Sequence, residues 1–457
     1  MNIWWIRRDL RLEDNPSLSS AIAEGKGVLP VYILDPQLLD KPANKRQAFL
    51  FSSLRALDTE LKKIGSALIV RQGNPVEELK QLAGEVNAEK VFAEEDFSPY
   101  AVRRDKAAAQ QVELKLVHGL GVHHPAVVTK TDGSPYTVFT PYSRAWKALP
   151  FNNYTLPAPD RLNPLPALES VTIPLGHPQP EFPAGEAEAR RRLNAFLSGV
   201  SHEYADGRNR LDLEGTSTLS PYLRFGMLSA RLAVVAAQQV INHSNDPLHK
   251  KSLEVWINEL IWREFYQSIL YHFPFVLDTA FKPELRNIPW RNSVQDLEAW
   301  QEGRTGYPVV DAGMRQLAET GWMHNRARMI TASFLVKDLL INWQEGERWF
   351  MRTLIDGDPA ANNGGWQWTA GTGTDAAPYF RIFNPILQGQ KFDPLGDYVR
   401  RWVPELMNVP DKYIHTPWEM SAEEQRSAGL IIGKEYPAPI VDHATARERT
   451  LKAYKVR

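Results

Sequence analysis

Short apolar runs alternate with longer amphipathic stretches along the first quarter of the chain. The runs are rich in β-branched and aromatic residues, as in buried strands, whereas the stretches repeat apolar residues at helical spacing. This alternation predicts βαβ units and a parallel sheet, whose ligands usually lie at the carboxyl ends of the strands. The predicted strands are Asn2–Ile6, Val28–Asp35, Ala67–Arg71, Lys90–Ala93 and Val112–Val117, the predicted helices are Lys45–Ile64, Pro75–Val86 and Ser98–Gln111, and the polar residues at the carboxyl ends are Arg7, Arg8, Asp35, Arg71, Glu94, Glu95 and Asp96.

This pattern ends in a proline-rich segment. Eight prolines lie between Pro157 and Pro183, without helical or strand periodicity. Proline removes a backbone donor and fixes φ, so the segment predicts an extended connector. We therefore expect a Rossmann-like α/β domain over residues 1–130, a connector over 131–185 and an all-α domain over 186–457.

Helical spacing dominates the chain after the connector, until a polar stretch begins. Residues 356–394 are rich in Gly, Asn, Asp and Pro. This composition predicts a long loop, and loops of that length are usually functional. The predicted helices before it are Ala187–Leu197, Ser229–Asn242, Leu248–Phe273, Pro308–Thr320, His324–Asn342 and Glu347–Leu354.

Composition limits the possible chemistry of the 457 residues. Cysteine is absent, which excludes disulfides, thiolate metal sites, iron–sulfur clusters and Cys nucleophiles. The formal net charge is −1, so a nucleic-acid site must be a local basic patch. No signal peptide or membrane span is recognisable, and the cytoplasm is the expected compartment. Fourteen tryptophans are unusual and require an explanation.

Common catalytic motifs are missing from the sequence. There is no Walker A motif, no His-Glu-x-x-His and no Gly-x-Ser-x-Gly. Gly371-x-Gly373-x-x-Ala376 has the spacing of a dinucleotide fingerprint, but no predicted strand precedes it. Asp356-Gly-Asp358 begins like a calcium loop, but Ala360 and Gln367 occupy positions that should be ligands. Neither interpretation is retained, and no metal site is expected.

Three polar constellations remain, each with an ordinary structural alternative. Gly215–Pro221 carries four hydroxyls that suit a phosphate, although a capped helix start is favoured without further context. One helix face combines charges with indoles, which suits either a planar ligand or a buried Glu–Arg pair. A third group suits a base-sized ligand that is stacked and held by its edge, or an Arg–Asp salt bridge. The second group is Trp256, Glu259, Trp262, Arg263 and Tyr266. The third is His324-Asn-Arg-Ala-Arg-Met329, in which Asn325, Arg328 and Met329 share a helix face, with Asp356, Asp358, Asn362, Trp366 and Trp368.

Basic residues with interleaved aromatics are compatible with a nucleic-acid face, although solvated surface charge is the favoured explanation for them. They are Arg208, Arg210, Arg286, Arg291, Arg326, Lys391, Arg400 and Arg401.

Long motifs in a characteristic order cover nearly the whole chain. They are Trp5-Ile-Arg-Arg-Asp-Leu-Arg-Leu-Glu-Asp-Asn15, Glu259-Leu-Ile-Trp-Arg-Glu-Phe-Tyr266, Gly321-Trp-Met-His-Asn-Arg-Ala-Arg-Met329, Asp356-Gly-Asp-Pro-Ala-Ala-Asn-Asn-Gly-Gly-Trp-Gln-Trp368 and Phe380-Arg-Ile-Phe-Asn-Pro385. In these motifs the sequence closely resembles the photolyase/cryptochrome family, and within it the class I DNA photolyases that repair cyclobutane pyrimidine dimers.

The resemblance implies an α/β domain, a long connector and a helical domain that encloses a U-shaped FAD. It places Asn362 at the N5 edge of the flavin, where photolyases of this kind carry Asn. The residues implied to bind FAD are Tyr204, Thr216, Ser217, Thr218, Leu219, Ser220, Trp256, Arg263, Asn325, Arg328, Asp356, Gly357, Asp358 and Asn362.

The resemblance also implies a DNA lesion as substrate. Photoexcited reduced FAD donates an electron to a dimer flipped out of the duplex, and Glu259 hydrogen-bonds its bases. Met329 stands where six-four photolyases usually carry His, which favours cyclobutane dimers, and Trp368 favours duplex DNA. The residues implied to contact DNA are Arg208, Glu259, Trp262, Asn325, Arg326, Met329, Trp368 and Gln388.

Two further features follow from the family pattern. Trp366, Trp343 and Trp290 match the tryptophan chain that reduces oxidised flavin. Arg46, Asp96 and Arg224 suggest a second, antenna chromophore, a deazaflavin rather than a folate, although an empty pocket is the rival interpretation. The alternatives in function are a cryptochrome-like photoreceptor without repair activity and a nucleotide-binding scaffold without a redox role. A monomer that acts away from membranes is expected.

Overall fold

A computed structural model describes residues 1–40, 43–176 and 180–455 of the chain. These form two compact units. Unit 1 comprises Met1–Ala205, Thr216–Pro274 and Ile355–Ala360, and unit 2 comprises Asp206–Gly215, Phe275–Leu354 and Ala361–Arg457. Unit 1 contains the predicted parallel sheet, and unit 2 is helical among its described residues.

The sheet has five parallel strands in the order β3-β2-β1-β4-β5. Every residue of β1 is buried, because β1 is central and both neighbouring strands pair with it. Ile3 pairs in register with Leu29 and Val91. This order places the carboxyl ends of β1 and β4 side by side. The strands are β1 (Asn2–Ile6), β2 (Val28–Leu34), β3 (Ile69–Gln72), β4 (Val91–Glu94) and β5 (Leu114–Val117).

The helices up to residue 272 are α1 (Pro16–Ala23), α2 (Pro36–Leu39), α3 (Asn44–Lys63), α4 (Pro75–Glu85), α5 (Pro99–Ala108), α6 (Phe139–Ala148), α7 (Glu186–Ser198), α8 (Tyr204–Gly207), α9 (Ser220–Arg224), α10 (Ala230–His243) and α11 (Pro247–His272). The later helices are α12 (Val294–Gln301), α13 (Pro308–Thr320), α14 (Asn325–Ser333), α15 (Trp343–Thr353), α16 (Pro359–Ala370), α17 (Pro385–Phe392), α18 (Asp397–Trp402), α19 (Ala422–Ser427) and α20 (His443–Lys455).

One local signal starts many of these helices. An Asn, Asp or Ser side chain accepts a hydrogen bond from the first-turn backbone, and proline occupies the first helical position, where its missing N–H and fixed φ cost nothing. The pairs are Asn15-Pro16, Asp35-Pro36, Asn74-Pro75, Ser98-Pro99, Asp246-Pro247 and Asn384-Pro385.

The connector lacks helix and strand over residues 157–176, as its prolines predict. It nevertheless runs along the sheet edge in unit 1, since Val171 N–H donates to the Val70 carbonyl at 2.8 Å and Ser170 Oγ accepts from Val70 N–H. Helix α6 falls within the predicted range 131–185. Residues 177–179 of that range, and residues 456–457 of the predicted all-α domain, lie outside the described residues.

The structure corrects two sequence predictions. Residues 356–394 are not one loop, because α16 and α17 form within them. The apolar side of α16 is buried through Trp366 and Ala370, and this burial outweighs its low helix propensity. The predicted helix His324–Asn342 ends early: α14 passes into a π-helical segment, Phe334–Asp338, and Leu340 adopts a positive φ of 52°. Helix α15 then starts at Trp343 instead of Glu347, because Asn342 caps it.

Candidate functional site

Charged side chains meet at the carboxyl edge of the sheet in unit 1. Arg8 Nη2 lies 2.5 Å from Asp358 Oδ2, and Arg8 Nη1 lies 3.3 Å from Asp96 Oδ2. Arg224 Nε donates to the Gly357 carbonyl at 2.7 Å. Arg8 follows β1, and Asp96 follows β4. Two residues predicted to bind FAD and two predicted to bind the antenna therefore lie together around Arg8, a residue to which the family resemblance assigns no role.

Burial tunes the charges of this cluster. Burial lowers the pKa of Arg224 to about 9, and the nearby Arg8 cation adds to this effect. Burial also lowers the pKa of Arg46 to about 10, against the opposing charge of Asp356. Burial alone would lower the pKa of Arg8, but its carboxylate partners Asp358 and Asp96 raise it above its ordinary value. Arg8 is thus a fixed cation, while Arg46 and Arg224 are poorly solvated cations that an added anion would stabilise.

Helix α11 presents the predicted face of charges and indoles. The Trp262 ring stacks on Phe139 with centroids 3.7 Å apart and planes within 4°. Arg263 donates to the backbone carbonyls of Leu120 at 2.7 Å and Leu223 at 3.3 Å. These two carbonyls satisfy the Arg263 guanidinium. A buried Glu–Arg ion pair, the structural alternative for this helix face, is therefore not needed to explain why Arg263 is there. The Trp262 ring is instead one member of a flat aromatic stack.

The hydroxyl-rich segment Gly215–Pro221 lies beside Trp256, the first tryptophan of the predicted face of α11. Ser217 Oγ accepts from Trp256 Nε1 at 3.3 Å, and Thr218 Oγ1 accepts from Arg192 Nη1 at 2.9 Å. Thr218 has a positive φ of 49°, which is strained for a β-branched residue. No side chain caps α9, so helix capping does not explain these hydroxyls. Arg192, which the sequence did not indicate, holds Thr218 while its other nitrogens donate to Glu188 and to the Glu181 carbonyl. The hydroxyl groups of the segment therefore remain as the donors suited to phosphate. Nearby in sequence, buried Tyr204 packs edge-on against Phe196.

In unit 2, α14 carries three of the predicted lesion residues, Asn325, Arg326 and Met329. Arg326 Nη2 donates to Asn209 Oδ1 at 2.5 Å, and its guanidinium lies 4.3 Å from the Phe392 ring centroid. Arg328 Nε donates to the Met323 carbonyl at 2.8 Å.

His324 caps α14 by accepting from Arg326 N–H at 3.1 Å. Burial lowers the pKa of His324 to about 4, with Arg326, Arg328 and Arg208 adding to the effect. His324 is therefore a neutral cap at neutral pH. The sequence did not reveal this role, because His is a less common N-cap than Asn, Asp or Ser.

Half-buried Trp368 lies on α16 and half-buried Gln388 on α17. Three of the basic residues in the sequence-predicted patch are engaged in local ion pairs: Arg210 with Asp212, Arg291 with Asp296 and Arg400 with Asp411. These three arginines are partly neutralised, which fits the solvated-surface alternative for them.

The three tryptophans of the predicted electron path belong to unit 2. Trp366 and Trp343 are buried, whereas Trp290 packs partly buried against the same core and lies edge-on to Tyr454 at 6.0 Å. Trp366 is flanked edge-on by Phe350 at 4.9 Å and by Trp300 at 6.0 Å. These flanking rings were not predicted, because a buried aromatic at helical spacing carries no signal beyond core packing.

Asn362 on α16 is held by α15. Its Nδ2 donates to the Glu347 backbone carbonyl at 3.0 Å and approaches Glu347 Oε1 at 3.4 Å. The amide nitrogen is thus engaged by the protein, which leaves the carbonyl oxygen Oδ1 as the group for a ligand.

Among the described residues, no helix combines the length and apolar character needed to cross a membrane.

Comparison with known proteins covers the whole length of the chain. Residues 2–164 match the family described as DNA photolyase, and residues 256–456 match the FAD binding domain of DNA photolyase. The deoxyribodipyrimidine photo-lyase of Agrobacterium fabrum is 39% identical over 99% of this chain and 97% of its own length.

Two solved structures are similar throughout. A bacterial class III photolyase from Agrobacterium tumefaciens has a TM-score of 0.93 and 39% identity, covering 99% of this chain and 96% of its own. A cryptochrome from Synechocystis has a TM-score of 0.90 and 31% identity, covering 99% of each chain. With its parallel α/β sheet, its helical FAD-binding region and this full-length similarity, the chain belongs to the photolyase/cryptochrome family.

Proposed function

We propose that this protein repairs cyclobutane pyrimidine dimers in DNA under light. Similarity over 99% of the chain to a protein named deoxyribodipyrimidine photo-lyase is the observation that carries the proposal. Reduced FAD, when bound, supplies the photoexcited electron that cleaves the dimer and then returns. We also propose that the protein belongs to class I of the photolyases. This part of the proposal rests on the sequence motifs alone, because one of the similar structures is a class III photolyase.

The residues present suit FAD in each unit. In unit 1, the hydroxyls of Ser217 and Thr218 suit a diphosphate, with Thr218 held in place by Arg192, and Trp256 supplies an apolar wall. In unit 2, Asn362 offers its amide oxygen to a flavin N–H. The proposed FAD-binding residues of unit 1 are Tyr204, Thr216, Ser217, Thr218, Leu219, Ser220, Trp256, Arg263, Asp356, Gly357 and Asp358, and those of unit 2 are Asn325, Arg328 and Asn362.

The proposed lesion residues also divide by unit. In unit 1, Glu259 accepts hydrogen bonds from the dimer bases, and Trp262, backed by Phe139, stacks on them. In unit 2 the proposed contacts are Arg208, Asn325, Arg326, Met329, Trp368 and Gln388.

The proposal also covers flavin reduction, the antenna and the domain organisation. Oxidised flavin is reduced through the chain of Trp366, Trp343 and Trp290. An antenna chromophore, with a deazaflavin preferred, binds to Arg46, Asp96 and Arg224. We retain residues 1–130 as the antenna domain, 131–185 as the connector and 186–457 as the catalytic domain, and propose a monomer acting in the cytoplasm on duplex DNA.

A light-dependent repair assay tests the main proposal. Protein reduced chemically is incubated with duplex DNA carrying a single dimer, with and without blue light. We expect restored thymines only in the light, and a lower yield for Glu259→Gln than for Glu254→Gln, a matched change at an exposed position of α11. Absence of light-dependent repair by the reduced wild-type protein would refute the proposal.

The second candidate is a cryptochrome-like photoreceptor, which the similarity to the Synechocystis cryptochrome favours. It predicts photoreduction of bound flavin without dimer repair, so the same assay separates the two functions.

A further inference from the structure

Arg8 is shared by two carboxylates that the proposed function assigns to different ligands. Asp358 belongs to the segment proposed to bind FAD, and Asp96 belongs to the proposed antenna site. The guanidinium reaches Asp358 at 2.5 Å and Asp96 at 3.3 Å through different nitrogens. The Arg8 side chain is 12% exposed, so solvent screens these pairs weakly.

The chain around Arg8 is held at its backbone as well as at the Arg8 side chain. Leu10 N–H donates to the Phe225 carbonyl at 3.2 Å, and the side-chain Nε of Arg8 donates to the Arg224 carbonyl at 3.4 Å. Gly226 has a positive φ of 65°, and a Cβ atom there would overlap the Arg8 carbonyl. Only glycine permits this close approach, so Arg8 has little freedom to follow one carboxylate away from the other.

The two carboxylate segments face each other across very little space. A cavity of about 10 Å³ separates them, which is room for about one water molecule. Its lining includes Arg8, Asp96, Ser98, Asp358 and Ala360. Since the space is too small for a side chain to move into, a displacement of either segment acts directly on the other.

We propose that Arg8 is a positioning residue that couples the proposed antenna site to FAD binding. Its ion pair with Asp358 holds the turn Asp356–Asp358 against the sheet, and Asp96 competes for the same guanidinium. A change of charge at Asp96 therefore changes FAD affinity. An antenna ligand that draws Asp96 away from Arg8 changes FAD affinity in the same way, and by linkage FAD changes the affinity of that ligand by the factor by which the ligand changes FAD affinity. The inference rests on the proposed binding of FAD near Asp358.

The test measures the FAD dissociation constant of flavin-free protein by fluorescence quenching. Arg8→Gln should raise this constant about tenfold, because Asp358 loses its 2.5 Å ion pair and keeps only the longer contact with Arg224 at 3.9 Å. Asp96→Asn should lower it about threefold in the wild-type background, because Arg8 then serves Asp358 alone. In the Arg8→Gln background the effect of Asp96→Asn should be much smaller, because only the more distant Arg224 then interacts with both carboxylates.

An Asp96→Asn effect of equal size in both backgrounds overturns the coupling, as does an unchanged constant in Arg8→Gln. If Arg8→Gln does not fold, the FAD dissociation constant of Arg8→Lys is measured instead, because lysine keeps the charge but cannot reach both carboxylates. An unchanged FAD constant in Arg8→Lys likewise overturns the inference.

A matched control separates the coupling from general destabilisation. Arg71→Gln removes another buried arginine of unit 1, which pairs with Glu85, and should leave the FAD constant unchanged. If the wild-type protein does not bind FAD, the proposed function fails. If the wild-type protein binds FAD and repairs DNA but Arg8→Gln binds FAD equally well, only the coupling fails.

Discussion

Gly346 on α15 lies directly against the indole ring of Trp366 on α16, where a Cβ atom at residue 346 would overlap the ring. The contact brings the two helices close enough for the adjacent Glu347 to reach Asn362, four residues before Trp366. One glycine therefore sets the position of two residues with separate proposed roles, the inner electron donor and the flavin-edge amide.

Gly346→Ala should destabilise the protein by about 1–3 kcal/mol, because the added methyl forces a packed ring to move. Gly365→Ala on α16 is the matched control, since nothing lies within 4 Å of a Cβ there and alanine favours the helix by up to about 1 kcal/mol. Urea unfolding of both variants measures the change in the free energy of unfolding, which should be negative for Gly346→Ala and positive for Gly365→Ala. Equal changes in the two variants would contradict the close contact of Gly346 with Trp366.

Trp366→Phe should slow the photoreduction of oxidised flavin strongly, while repair by chemically reduced protein stays near the wild-type level. Phe is harder to oxidise than Trp but fills most of the same space beside Phe350 and Trp300. Flash photolysis measures the rate. Trp349→Phe is the control, because Trp349 packs partly buried against the same core without a proposed role. Unchanged photoreduction in Trp366→Phe would remove Trp366 from the electron path.

Glu347→Gln should make stability less dependent on pH. Burial raises the pKa of Glu347 to about 7, so the folded state binds more protons than the unfolded state between about pH 4.5 and 7, and stability falls as pH rises through this window. Glutamine keeps the oxygen that faces Asn362 without the charge. The variant should therefore gain on the order of 1 kcal/mol relative to wild type at pH 8, but not at pH 4. Thermal unfolding at both pH values measures the gain. Glu345→Gln is the control and should show no such difference, because the Glu345 side chain is 42% exposed.

Lys337→Met should stabilise the protein most at low pH. Lys337 is 1% exposed, lies 3.8 Å over the Tyr454 ring and donates to the Ala370 carbonyl at 3.0 Å. Burial lowers its pKa to about 7, so the folded state binds fewer protons than the unfolded state up to about pH 10.5. Wild-type stability consequently falls as pH drops through this range.

The advantage of Lys337→Met should be on the order of 1 kcal/mol at pH 6 and should shrink towards pH 10. Urea unfolding at both pH values measures it, with the exposed Lys452→Met as control. An advantage that grows with pH would contradict the assignment of a buried, readily neutralised amine.

The sequence alone predicted the parallel sheet and the starts of helices such as α4, because both depend on local chemistry. Strand alternation is read from consecutive residues, and Asn74-Pro75 starts α4 through its own hydrogen bond. The order of long motifs also identified the family before any fold was known.

Only the tertiary structure decided the rest. Helix α16 forms from a glycine- and asparagine-rich segment because Trp366 becomes buried, a contribution that no local propensity contains. Likewise, Arg8 and Asp358 are 350 residues apart in sequence, and their ion pair exists because the chain returns residues 355–360 to the sheet in unit 1. Interactions between distant residues depend on packing free energy summed over the whole fold, which the pattern of neighbouring residues does not encode.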